Sequence, residues 1–469
     1  MRKLAWLGMT TALLGCSVDD GVTAPLPDLA QRAVEVRELE RLAEVPVVGM
    51  SRAAFDKLQQ DEAAAIEQAE LDEYAATWGR LGYFPLDADL RPAIGDSSDL
   101  AAAYYSSDDK QITVIGSVPA EILVHEHVHG LQDQHFHLDG FFHAAETSDQ
   151  LLARRCVVEG DADLAAGRFA LEAQGSSLQQ ATLDSDRLRD AETNILDSGP
   201  IPLLLAPFAI IYTRGLELAF YNLRAEAWSP VSGSAFSWTR QNEMFGALGP
   251  LDTASVLARE PVAPAAAFGL AEVPADLATD LEAIETDSLG AWLSYVLVRP
   301  QAAAMDLDPL PLAFELRGDR VLFVRELAGA KRNGHIWAST WTTQAAAAAL
   351  VDGMTALHQA TFDDETQPFL GTERADDGAD NEPVWIEQRG TQVVIMRNIE
   401  AGLAASLAAA TWGDPAPERG DSSADERSSA RSPGDAGSRS AQRDRRLVRW
   451  TERLVGKGAR HRLPTQLSD

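Results

Sequence analysis

Residues 125–143 read HEHVHGLQDQHFHLDGFFH and hold six of the nine histidines in a chain of 469 residues. Within them, His125-Glu126-His127-Val128-His129 fits the pattern HExxH. On a helix, residues four apart lie on one face, so the imidazoles of His125 and His129 can converge on one ion. Glu126 is turned about 100° from His125, where its carboxylate reaches a water on that ion without itself being a ligand. His127 stands about 200° round and cannot join the same ion. His135, His137 and His143 follow the expected end of the helix and read as loop or packing residues, while His335, His358 and His461 have no liganding neighbours at useful spacing.

A pair of histidines needs a third ligand to hold a catalytic ion. The stretch RCVVEGDADLAAG offers Glu159, thirty positions after His129, with Asp163 four residues further on. That E-x-x-x-D spacing puts both carboxylates on one helix face. Glu159 can then bind the ion, while Asp163 takes the free N–H of a ligand histidine and fixes its tautomer. Two histidines and one carboxylate leave a fourth position open, as a catalytic zinc site requires and a structural one does not. The cofactor this set predicts is one Zn2+ ion.

The elements that must carry these residues are legible in outline. Pro119 at a helix start, with Ile122, Leu123 and Leu131 as its apolar stripe, predicts a helix of about four turns through the HExxH motif. Thr147 and Gln150 have capping-box spacing and open a second helix that carries Glu159 and Asp163 toward Gln174. Upstream, LAQRAVEVRELERLAEV and the longer run from Ser51 to about Gly79 or Gly82 have helical spacing, with Ser51 as N-cap of the latter. AAAYY and QITVIG flank the polar turn SSDD and predict a strand pair, with QITVI as an edge strand open to an extended peptide substrate. IPLLLAPFAIIYTRGLELAFYNLRAEAW predicts a buried helix. After a stretch rich in Pro and Ala the texture changes. Helical DLATDLEAI and SLGAWLSYVLV precede β-prone RVLFVREL and HIWASTWT, then helical QAAAAALVDGMTALHQA, then a hairpin in VWIEQRGTQVVIMRNI around Arg389-Gly390. The predicted fold class is therefore α+β: a predominantly helical domain over 28–265 with a small strand pair, and a smaller α+β domain over 271–412. Residues 413–469 are almost without apolar side chains at first and predict a disordered tail, ending in the arginine-rich RRLVRWTERLVGKGARHR.

HExxH followed by E-x-x-x-D at this separation resembles the gluzincin group of zinc metallopeptidases. More closely, HEHVHGLQDQHF with VEGDAD downstream resembles a bacterial family of HExxH proteins whose motif runs HELxHALQDQxF and then VEGDA. YTRGLELAFYNL and LDTASVLARE are also similar to stretches of that family, so the resemblance covers roughly residues 30 to 260, with weaker echoes in GDRVLFV and WASTW. It implies a zincin-like fold for the first domain and hydrolysis of peptide bonds in a peptide or protein substrate, with Glu126 as general base. It also implies an oxyanion donor from a later helix. Tyr212 in IIYTRG is the candidate and Arg214 the second, although Tyr212 also reads as a core tyrosine of an apolar helix. The chain departs from the family at His127, where an apolar residue is usual. A polar side chain there is expected near the helix surface or hydrogen-bonded.

The N-terminus and the charge bound the setting. MRKLAWLGMTTALLGCS has early cations, an apolar stretch and small residues, the layout of a secretory signal, and Leu13-Leu14-Gly15-Cys16 resembles a bacterial lipobox. That resemblance implies a signal peptide over 1–16, lipidation at Cys16, a linker over 17–27, and a membrane-anchored lipoprotein outside the cytoplasm, at the outer membrane or cell surface. Cys156, the only other cysteine, then has no partner in the chain and reads as a small core residue. A formal net charge of −31 repels phosphate backbones and argues against nucleic acid as a partner. Two functions remain: a lipid-anchored zinc metallopeptidase, or a non-catalytic envelope lipoprotein that keeps a degenerate zincin fold for binding or structure. The intact Glu126 favours the first, because a binding protein has no need of a general base beside its metal.

Overall fold

A computed structural model describes residues 26–83, 90–91, 102–198, 202–225, 237–246, 249, 252–266, 268–304, 309–329, 331–361, 369–370 and 383–415. Cys16 and the tail past residue 415 lie outside the described residues. The chain is mixed α+β and mainly helical, with two small sheets. The contacts divide the described residues into two compact units, one of residues up to 71 and between 89 and 261, the other of residues between 72 and 88 and from 262 to 415. Residues 72–83 group with the second unit, where Trp78 packs at 5.0 Å from Phe323 and the Tyr83 hydroxyl donates to the Leu293 carbonyl at 3.1 Å. No helix among the described residues is long and apolar enough to cross a membrane.

In the first unit, α1 (Leu26–Arg37) leads to β1 (Val47–Met50) and α2 (Arg52–Ala64). Ser51 caps α2 as expected, its Oγ accepting from the Ala54 amide at 3.2 Å. The helical run beyond it breaks, however, and resumes as α3 (Gln68–Leu81), whose residues from 72 onward belong to the second unit. At the break the Arg91 guanidinium donates to the carbonyls of Ala63 at 2.7 Å and Ile66 at 3.0 Å, satisfying groups that an interrupted helix leaves open. Next come β2 (Ala103–Ser106) and β3 (Gln111–Ile115), the predicted antiparallel pair. The sheet order is β1-β3-β2, with β1 parallel to β3 through Val47↔Ile112 and Met50↔Ile115. QITVI is therefore the central strand and not an edge. The short VVGM segment covers its far side.

The helices that matter most follow: α4 (Ala120–Phe136), α5 (Leu138–His143), α6 (Ser148–Ala173), α7 (Ser185–Asp197), α8 (Pro202–Ala225), α9 (Thr239–Glu243) and α10 (Thr253–Ala258). Pro119 precedes α4, and His137 closes it in the left-handed region, φ 53°, with its N–H on the Asp133 carbonyl. Asp133 then ties the strand pair to this helix end, accepting from the Tyr105 hydroxyl and Lys110 Nζ, both at 2.6 Å, and from the Leu138 amide at 3.1 Å. Thr147 caps α6 by accepting from the Gln150 amide at 3.2 Å, and Gln150 returns an acceptor to the Glu146 amide at 2.7 Å. The core of the unit joins Val124, Val128 and Leu131 of α4 to Ala162 and Ala165 of α6, Leu216 and Ala219 of α8, and Leu29, Ala33 and Val36 of α1. Each large aliphatic side chain wholly removed from water there stabilises the fold by about 1.5–3 kcal/mol. Where α6 and α8 cross, backbone meets backbone. A Cβ on Gly160 would lie 2.0 Å from the Gly215 carbonyl oxygen, and one on Gly215 would lie 2.6 Å from the Cys156 carbonyl oxygen.

The second unit is built on a six-stranded sheet of order β4-β5-β6-β9-β8-β7. Its elements are β4 (Leu281–Asp287), α11 (Gly290–Ala304), α12 (Pro309–Ala313), β5 (Leu316–Glu326), β6 (Asn333–Trp341), α13 (Gln344–Thr361), β7 (Phe369–Leu370), β8 (Val384–Arg389), β9 (Gln392–Arg397) and α14 (Ala401–Trp412). All pairings are antiparallel except β7 with β8. The hairpin around Arg389-Gly390 forms as predicted. The helix expected in DLATDLEAI does not. Residues 275–280 are turns, and β4 pairs antiparallel with β5 from Leu281↔Glu326 to Asp287↔Val321, so ladder pairing along a long neighbouring strand overrides local helix preference. Leu322, Val324, Ile336, Ala338, Val394 and Met396 form one core with Ala404 and Leu407 of α14, while Phe323, Trp337 and Ile395 are buried on the alternate positions.

Candidate metal centre

His125 and His129 project from consecutive turns of α4 toward Glu159 of α6, and all three are buried. The two Nε2 atoms lie 2.8 Å apart, and Glu159 Oε2 lies 3.3 Å from the first and 3.2 Å from the second. Tetrahedral ligands about 2.0–2.1 Å from an ion stand about 3.3 Å from one another, so the three atoms fit a single zinc-sized ion. Such a buried His-His-Glu triad can hold a metal ion.

The outer nitrogens decide whether the inner ones can bind. His125 Nδ1 lies 2.9 Å from Asp163 Oδ1, the role expected for Asp163. His129 Nδ1 lies 2.8 Å from Gln132 Oε1. The Gln132 amide is oriented by its other end, since Nε2 donates to the Val158 carbonyl at 2.9 Å and to Asp161 Oδ2 at 2.6 Å. Both Nδ1 atoms therefore face acceptors and carry the proton, which leaves a lone pair on each Nε2. Two such lone pairs and a carboxylate oxygen point at one place, an arrangement that calls for a cation. The electrostatics agree. Burial lowers the His125 pKa, but hydrogen bonds to the Asp163 and Glu159 carboxylates outweigh it and push the value up to about 10. Burial likewise opposes ionisation of Glu159, yet the two imidazoles hold it well below the usual carboxylate range.

Gln132 escaped the reading of the sequence. It sits three residues after His129, on the same helix face, but an amide carries no ligand chemistry of its own to mark it. Glu126 is fully buried, and its charge stands close enough to raise the pKa of both His125 and His127. His127 differs from expectation. It is buried, its Nε2 has no hydrogen-bond partner, and burial drives its pKa down to about 4. The reason is that residues 40–45 lie along that side of α4. Gln134 Oε1 accepts from the Leu42 amide at 2.7 Å, His135 Nε2 is 2.7 Å from the Glu40 carbonyl oxygen, and Val45 is close enough that a Cβ on Gly130 would come within 2.8 Å of it.

The remaining candidates are placed as follows. The helix runs further than expected, so His135 lies in the last turn of α4 and not beyond it, while His143 ends α5 and pairs with Asp139 at 3.0 Å. Tyr212 lies half-buried in α8, its ring parallel to that of Phe208 at 6.5 Å. Arg214, also in α8, is buried and bonded to Glu192 Oε2 at 2.7 Å and Glu217 Oε2 at 3.1 Å, so its charge is committed to two carboxylates. Cys156 is a buried free thiol beside the crossing of α6 and α8, and burial pushes its pKa well up, as suits an unreactive packing residue. His461 lies outside the described residues.

A family model described as a domain of unknown function (DUF8575) matches residues 279–408, from β4 into α14 of the second unit. The triad lies outside that match. No curated protein and no solved structure matches the chain.

Proposed function

We propose that the first unit is a zinc-dependent metallopeptidase that hydrolyses peptide bonds in an extracytoplasmic peptide or protein substrate, the chain being tethered to the membrane by a lipid on Cys16. The observation that carries this reading is the convergence of the His125 and His129 Nε2 atoms with Glu159 Oε2, with the Glu126 carboxylate buried one residue from His125. Held there, a zinc ion supplies Lewis-acid polarisation of a carbonyl and makes water a nucleophile near neutral pH. The chain's own residues do the rest. His125, His129 and Glu159 bind, Asp163 and Gln132 hold the imidazoles in the ligating tautomer, and burial excludes bulk water from the reacting centre. Glu126 takes the proton of the attacking water and delivers it to the amide nitrogen as the C–N bond breaks. Zincin-like architecture and zinc as the particular metal belong to this proposal.

The test is metal analysis of the purified chain together with a cleavage assay on an unfolded protein substrate. The expected result is about one zinc per chain and cleavage that is lost in Glu126→Gln while the metal is retained. Equal cleavage by parent and variant would sink the peptidase reading. A parent that holds zinc and cleaves nothing would favour the non-catalytic envelope protein instead.

A further inference from the structure

The group that fixes His129 is itself an amide, and an amide can turn over. With Oε1 toward Nδ1, Gln132 requires a proton there and leaves the Nε2 lone pair for an ion. Turned by half a revolution, its NH2 would face Nδ1, require a lone pair there, and send the proton to Nε2, where it blocks a ligand bond. Gln132 is thus a two-position element, and the groups behind it set the position. Val158 O and Asp161 Oδ2 both accept from Nε2, at 2.9 and 2.6 Å, and a turned amide would aim its own oxygen at them. Asp161 Oδ2 is in turn shared between two donors. Arg37, 124 residues earlier in the chain, donates through Nε to the same Oδ2 at 2.8 Å, with both side chains wholly buried. Arg37 is pinned in turn, its terminal nitrogen donating to Asn242 Oδ1 at 2.5 Å and its guanidinium lying 4.4 Å from the centre of the Trp238 ring.

We propose that Arg37 is a positioning residue for the metal centre, acting through Asp161 and Gln132 to keep His129 in the tautomer that binds an ion. The last turn of α1 and the Trp238–Asn242 segment thereby set the affinity of a site to which they contribute no ligand. This inference rests on the triad being a zinc site. It adds that the site is completed from a helix that neither HExxH nor the Glu159 segment belongs to.

The test is a mutant cycle read by zinc affinity. The full chain, Arg37→Met, Gln132→Met and the double variant are titrated with zinc against a chromophoric chelator. Each single substitution is expected to weaken binding about 10- to 100-fold, as loss of a group behind a metal ligand does. The double variant should bind no more weakly than Gln132→Met alone, because no amide remains for Arg37 to orient. Losses that multiply, or an Arg37→Met variant that binds like the parent, overturn the proposal. A second readout is the histidine nitrogen spectrum of the metal-free, 15N-labelled protein. His129 should carry its proton on Nδ1 in the parent and shift toward Nε2 in Arg37→Met; an unchanged tautomer overturns the proposal. If Arg37→Met does not fold, Asp161→Leu, which removes the acceptor between Arg37 and Gln132, takes its place with the same expectations. A parent that binds no zinc defeats the proposed function itself, whereas a parent that binds zinc beside a Gln132→Met variant that binds equally well defeats only the relay.

Discussion

Glu159 and Asp163 sit one helical turn apart on α6 and do different work, which substitution can separate. Glu159 Oε2 is within 3.3 Å of both Nε2 atoms, so Glu159→Ala should lower the zinc content of the purified chain outright. Unchanged metal in that variant would place the third ligand elsewhere. Asp163 touches only the outer nitrogen of His125, so Asp163→Ala should leave stoichiometry intact at saturating zinc while weakening affinity about 10- to 100-fold in a chelator competition. That His125, His129, Glu159 and Asp163 come together was legible from residue type and spacing along two helices. Gln132 was not, because what makes an amide a positioning group is the company it keeps, and Val158 O and Asp161 reach it only through the packing of α6 on α4. His127 was misread for a related reason. Its angle from the ligands was right, but nothing in the spacing says that residues 40–45 return to cover that face.

Between elements, the crossing of α6 and α8 backs the helix that carries Glu159. Gly160 follows Glu159 immediately, and a methyl group there would stand 2.0 Å from the Gly215 carbonyl oxygen, a distance that only backbone displacement relieves. Gly160→Ala should therefore destabilise the protein by about 3 kcal/mol, seen as a lower urea midpoint. It should also weaken zinc binding, because α6 must shift Glu159 to make room. A midpoint within error of the parent would show that the two helices separate freely. Local signals served well where an element's own residues decide it. The Ser51 and Thr147 caps, the strand pair around SSDD and the Arg389-Gly390 hairpin all stand where their side-chain chemistry puts them. They failed where a neighbour decides. LEAIETD is a strand because β5 offers it a long ladder, QITVI is central because VVGM pairs with its other side, and the helix after Ser51 breaks where Arg91 donates to the freed carbonyls.

At the scale of the molecule, the two units carry different titratable chemistry, and that difference is measurable as unfolding. The first holds the triad, so zinc at a hundred times its dissociation constant should stabilise that unit by about 2.7 kcal/mol. The second holds His335 and His358, each buried with both ring nitrogens lacking hydrogen-bond partners. Burial, reinforced by the Arg397 charge, drives His358 down to about 3 and His335 well below its ordinary value. In the folded unit both are neutral, while the unfolded chain takes up protons as the pH falls below about 6.5. Their neutral burial is therefore fully compatible with folding above that pH. Below it, each group withdraws up to about 1.4 kcal/mol per pH unit until its folded pKa is reached. Calorimetry should accordingly resolve two transitions, of which zinc raises only one. Acidification from pH 7 to 5 should lower the other, and His358→Leu should reduce that acid shift by roughly half, since one of two titrating groups is gone. A single transition, or zinc and the His358→Leu substitution acting on the same one, would show that the metal centre and the buried histidines belong to one cooperative unit.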